Sequence, residues 1–120
     1  MSAPEDALAF QLKAVGIPHS REVKFAAPRR RWRADFVVPH PNCIDRLPTH
    51  PEGECRIHRP LLIEIDGGTW TGGRHVTGSG HASDAEKRNA AVLLGYRPLT
   101  FTPEQVTSGV ALQTIEQALR

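Results

Sequence analysis

An α/β fold, with helices flanking a small mixed central sheet, is predicted by three observations in this 120-residue chain. Leu61-Leu62-Ile63-Glu64-Ile65-Asp66 is apolar on both faces apart from its acids, as expected of a central strand covered on both sides. Ser2-Ala3-Pro4-Glu5 and Ser83-Asp84-Ala85-Glu86 each have the form of a capping box, which opens a helix. The remaining periodic segments complete the order helix, strand, strand, strand, helix, strand, helix, an α/β sandwich.

The first helix is expected to run from Pro4, just inside the cap, to about Val15, with Gly16 ending it and Pro18 beyond. Glu5, Leu8, Leu12 and Val15 fall on one stripe, so Glu5 lies on the face of the core leucines. Arg21-Glu22-Val23-Lys24-Phe25 reads as a first strand and Trp32 to Val38 as a second. In the second, Trp32, Ala34, Phe36 and Val38 share one face, and Arg33, Asp35 and Val37 the other. Residues 39–60, rich in Pro, His and charge, have no periodicity and form an insertion too long for an ordinary connection. In the third strand, Leu61 to Asp66, Leu62, Glu64 and Asp66 point opposite to Leu61, Ile63 and Ile65. Six glycines between Gly67 and Gly80 mark a loop. The Ser83 box then opens a helix through Leu94 that Gly95 stops, Arg97 to Phe101 is a fourth strand, and Thr102-Pro103-Glu104-Gln105 starts a last helical region continuing past Gly109 to Leu119.

Residues 1–120 are the length of one domain. A 39% hydrophobic and 23% charged composition is that of a soluble globular protein. No apolar run approaches the ~20 residues of a membrane span. The acidic Met1-Ser2-Ala3-Pro4-Glu5-Asp6 start is unlike a signal peptide, which points to the cytoplasm and away from a membrane. Net charge is only +2, but Arg29, Arg30, Arg31 and Arg33 crowd into five positions. Such a cluster attracts phosphate backbones, or else is a solvated hairpin turn.

Acids inside buried strands need a cation to face, because an unpaired buried carboxylate costs several kcal/mol or loses its charge. Asp35 and Glu64 sit mid-strand in consecutive strands, close enough to share one metal ion if those strands pair. Carboxylate oxygens suit Mg²⁺ or Mn²⁺. The bland alternative pairs Asp35 with an arginine and leaves Glu64 capping a loop. Asp66 is a ligand, an acceptor that orients His75 or Lys87, or a turn residue. Glu5 either completes its capping box or reaches the metal edge of the sheet. Lys87 falls on the helix side of Ala90, Ala91 and Leu94, where it needs an acid beside it and can stabilise a phosphoryl transition state; otherwise it snorkels to the surface. Asp84 is explained by the cap alone. In the loop Gly67 to His75, which lacks the ending of a P-loop, Arg74 and His75 supply charge and an acid or base, and Trp70 a stacking surface. Cys43, Cys55 and His58, with His40 or His50, would make a structural Zn²⁺ site; the alternative is two free thiols.

These features resemble the PD-(D/E)XK nuclease superfamily, and within it small phage and bacterial members. The matching pieces are Trp32 to Phe36, Glu64 to Trp70, Gly72 to His75, and Asp84-Ala85-Glu86-Lys87-Arg88-Asn89, and only residues 39–60 lie outside the resemblance. The chain is also similar to very-short-patch-repair nucleases and Holliday junction resolvases of DNA repair and recombination. The resemblance implies a restriction-endonuclease-like αβββαβ core and Mg²⁺-dependent hydrolysis of DNA phosphodiesters. It implies Asp35, Glu64 and the carbonyl of Ile65 as metal ligands. The family's Glu-x-Lys is here Glu64-x-Asp66, so its lysine is supplied by Lys87 from the following helix or its role is taken by His75.

The expectation is therefore a metal-dependent DNA endonuclease acting on branched or damaged DNA. Arg29, Arg30, Arg31, Arg33 and Arg74 would hold the backbone, giving salt-sensitive affinity. The alternatives are a catalytically inactive nucleic-acid-binding module and a zinc-stapled interaction protein. Junction resolvases act as dimers, which makes a homodimer an option, but no dimer surface is legible in the sequence.

Overall fold

A computed structural model describes residues 2–41, 59–66 and 78–120, residues 78–83 by backbone alone. The elements are α1 (Ala3–Ala14), β1 (Ser20–Val23), β2 (Ala34–Val38), β3 (Leu61–Ile65), α2 (Gly78–Leu93), β4 (Arg97–Phe101), α3 (Pro103–Thr107) and α4 (Val110–Ala118). The strands form one mixed sheet in the order β1-β2-β3-β4. β1 and β2 pair antiparallel, as do β2 and β3, with Phe36 opposite Ile63. β3 and β4 pair parallel, with Glu64 opposite Thr100, and α2 makes the crossover that a parallel pair requires.

Helices cover both faces. On one, Leu8 and Leu12 of α1, Val106 of α3, and Ala111 and Ile115 of α4 pack on Phe36, Val38, Leu61, Ile63 and Phe101. On the other, Ala91 of α2 packs with Val37, Leu62, Phe25, Ala34 and Tyr96. β3 is thus a central strand with apolar side chains on both sides, which explains its unbroken hydrophobic run. Among the described residues, no helix is long and apolar enough to cross a membrane.

Several boundaries differ from the sequence expectation. Ser2 does cap α1, its Oγ accepting from the Glu5 amide at 3.3 Å. Val15, however, is the residue after the last helical one and turns outward, 48% exposed, so the buried stripe ends at Leu12. Both hairpin strands are shorter than expected, ending at Val23 and beginning at Ala34. Trp32, ahead of β2, and Ala34, its first residue, both depart from the expected alternation, packing with Val37 rather than with Phe36 and Val38.

The Ser83 capping box does not open α2, which starts at Gly78, inside the glycine-rich segment expected to be loop. Once an alanine-rich segment has nucleated, extending a helix costs little per residue, so weak formers upstream can join it. α2 ends at Leu93, and Leu94, past the helical period, is 52% exposed instead of inward. The final helical region is two helices, not one. Gly109 has φ +89°, a left-handed conformation that interrupts the right-handed helix between α3 and α4. Within the expected 39–60 insertion, Pro39 and His40 are buried; residues 42–58, with Cys43, His50, Cys55 and His58, lie outside the described residues.

Candidate active site

A cleft of about 800 Å³ opens beside the carboxyl ends of β3 and β4. In open α/β sheets ligands bind outside the carboxyl ends of parallel strands, where loops diverge and helix and strand ends converge. Among the described residues the cleft is lined by six acids, Glu5, Glu22, Asp35, Glu64, Asp66 and Asp84, and by three cations, Arg33, Lys87 and Arg88.

The register that sets Phe36 opposite Ile63, continued by one residue, brings Asp35 to Glu64. Both alternate onto the face of Val37 and Leu62, which is the face α2 covers. Asp35 is fixed by a hydrogen bond from the Ile65 amide to its Oδ2 at 2.8 Å. Among the described residues no arginine pairs with it. Lys87 points inward from α2, and its Nζ donates to Glu64 Oε2 at 2.6 Å. The pair is only partly exposed, 21% and 32% by side chain, so Lys87 has the acid its inward position requires and does not snorkel.

Burial raises the Asp35 pKa above 3.8, and the charge of Glu64 raises it further; the Ile65 amide and the Lys87 ammonium act in the opposite direction. Glu5, at the start of α1, reaches the same cleft. Asp66 also lines it, with its amide donating to the Phe101 carbonyl at 2.8 Å. Asp84 is inside α2 rather than at its cap and faces the cleft as well.

Among the described residues, no three His, Cys, Asp or Glu side chains are grouped to hold a metal ion by themselves. The adjacent carboxylates of Asp35 and Glu64 would suit a cation that keeps several waters and takes further ligands from its substrate. That is the habit of Mg²⁺, and hard carboxylate oxygen is the donor it prefers.

The arginine cluster divides in two. Arg30 donates to Glu86 of α2 at 2.6 Å and lies 4.8 Å from the centre of the Trp32 ring, which also stacks with Phe25. Arg33 pairs with Glu22 at 3.0 Å. Arg29 and Arg31 are exposed and have no acid partner among the described residues. Trp70, Arg74 and His75 lie outside the described residues.

Sequence reasoning missed Glu22, Arg88 and Thr100 as parts of this cleft. Glu22 sits opposite Asp35 with φ +51°, a left-handed conformation costing about 1 kcal/mol for a residue with a side chain. Nothing in a short polar strand announces that. Arg88 donates to Thr100 Oγ1 at 2.8 Å, a contact that exists only because β4 runs parallel beside β3.

No protein-family model, curated protein or solved structure matches this chain.

Proposed function

We propose that the chain is a metal-dependent DNA endonuclease of the PD-(D/E)XK type. The observation that carries this reading is the meeting of Asp35 from β2, Glu64 from β3 and Lys87 from α2 at one end of a mixed sheet. The element order α1-β1-β2-β3-α2-β4 supports a restriction-endonuclease-like core around that site.

Asp35, Glu64 and the carbonyl of Ile65 would hold Mg²⁺ or Mn²⁺, with Glu5 on the cleft wall in reach of its waters. The cation would neutralise the phosphate and lower the pKa of a water for in-line attack. Lys87, released from Glu64 as substrate arrives, would donate to a phosphate oxygen and stabilise the negative charge that grows there. Asp66 occupies the strand position where the family has its lysine; it is an acid and takes no such role. His75 is the rival for the helper residue. In the β1–β2 connection Arg30 pairs with Glu86 of α2 and Arg33 lines the cleft, so a backbone crossing the cleft would meet Arg33.

Incubating branched, nicked and linear DNA with Mg²⁺ or Mn²⁺ tests this reading. Wild type is expected to cut at least one of them and Glu64→Ala to lose the activity by 100-fold or more, on the order of one lost transition-state electrostatic contact. Undiminished cleavage by Glu64→Ala would sink the site. The same assay on Lys87→Ala and His75→Ala decides the helper. A second reading, nucleic-acid binding without cleavage, is favoured by the Lys87–Glu64 contact, which already compensates one of the two acids. It requires binding that is indifferent to Mg²⁺ and intact DNA in every arm.

A further inference from the structure

Among the described residues three cations line the cleft, and two are already matched to acids: Arg33 to Glu22 at 3.0 Å and Lys87 to Glu64 at 2.6 Å. Arg88 differs. Its Nη2 donates to the Thr100 hydroxyl at 2.8 Å, a neutral partner, and among the described residues no carboxylate lies within ion-pair distance of it. We propose that Arg88 binds a phosphate adjacent to the scissile one, so that the site takes a polynucleotide strand rather than a single nucleotide. This rests on the endonuclease reading above.

Three features of the geometry support the assignment. Thr100 stands opposite Glu64 in the parallel register, so the guanidinium is anchored one strand, about 4.8 Å, to the side of the acid pair. A hydroxyl anchor fixes the side chain without cancelling its charge, and only one of five N–H donors is used. The rest present the planar fork that suits two phosphate oxygens. The surroundings also argue for an anionic polymer. Six acids line the cleft, and a phosphate strand crossing such a surface needs cations on its route besides the metal. Arg33, on the β2 side, and Arg88, on the β4 side, flank the Asp35–Glu64 centre across the sheet. A strand laid from β2 to β4 would pass Arg33, the acid pair and Arg88 in turn.

The test measures DNA affinity by fluorescence anisotropy across a salt series in Ca²⁺, comparing wild type, Arg88→Gln, Arg88→Lys and Lys13→Gln. Lys13 lies on α1, away from the cleft, and controls for a general loss of charge. Each phosphate contact contributes about 0.7–0.9 to the slope of log affinity against log salt. Arg88→Gln is expected to lower the slope by that amount and to bind several-fold more weakly. Arg88→Lys should keep the slope, and Lys13→Gln should match wild type in both. A slope for Arg88→Gln equal to that of wild type overturns the inference and leaves the endonuclease reading intact. So does a slope lost equally in Arg88→Lys, which would mean a structural role. Absence of DNA binding by wild type overturns both.

Discussion

Asp35 concentrates the residue-scale argument. Its carboxylate is held by the Ile65 amide but loses hydration and faces Glu64, and the outcome is a pKa raised above 3.8. An acid whose folded pKa is raised favours its protonated form in the fold. Stability is then lost as pH rises from about 3.8 through the folded value, and the full cost is present at neutral pH. Asn keeps an oxygen for the Ile65 amide and carries no charge. Asp35→Asn should therefore melt higher than wild type at pH 7, with the difference vanishing at a pH well below 3.8, as read by thermal denaturation in chelator. A lower melting temperature at pH 7 would show that the carboxylate stabilises the fold. Adding Mn²⁺ should raise the melting temperature of wild type and not of Asp35→Asn, since a ligand that binds only the folded state stabilises it by about 2.7 kcal/mol at 100 times its Kd.

At the scale of elements, the ends of the helices separate what side-chain spacing reveals from what backbone conformation decides. Thr102 fulfils both bonds of its capping box with Gln105, whereas the identical pattern at Ser83 lies within α2. Local sequence offers the cap; whether the chain upstream is helical decides if it is used. Gly109 shows the same division. An isolated glycine in a helical pattern is readable as tolerated, but here its φ of +89° turns the chain between α3 and α4. A Cβ added there would meet nothing within 4 Å, so substitution costs backbone strain alone. Gly109→Ala should destabilise by about 1–2 kcal/mol in urea unfolding, and Gly109→Asn by less, because asparagine tolerates the left-handed region better. Equal stability for Ala and Gly would contradict the left-handed turn.

The whole molecule is a sheet with α1, α3 and α4 on one face and α2 on the other, and the site depends on both faces being filled. α2 carries Lys87 and Arg88 in its second half and is seated on the sheet through buried Ala91, one turn further along. Enlarging that contact lifts the helix and with it the two cations. Ala91→Leu should cost about 1–3 kcal/mol through overpacking. It should also lower any nuclease activity more than this loss of folded protein explains, because Lys87 would no longer meet Glu64. Cleavage per folded molecule, measured beside Arg88→Gln and Lys87→Ala, checks this; full activity in a destabilised Ala91→Leu would detach the site from the seating of α2.

By itself the sequence determined the α/β class, the order of the first seven elements, the central strand and Glu64 within it, whereas Asp66, expected in that strand, lies one residue past its end. These are local quantities: a period of two places Glu64 opposite in direction to Ile63, and a buried run betrays its own coverage. The inward face of Lys87 was legible for the same reason. What only the tertiary structure decided depends on pairing and on the backbone. Register sets Asp35 against Glu64, and parallel β4 sets Thr100, and so Arg88, beside them. The left-handed Glu22 and the early start of α2 likewise have no mark in residue spacing. Chain neighbours act through periodicity, which a sequence carries; strand neighbours act through space, where residues 30 positions apart come to share one hydrogen bond.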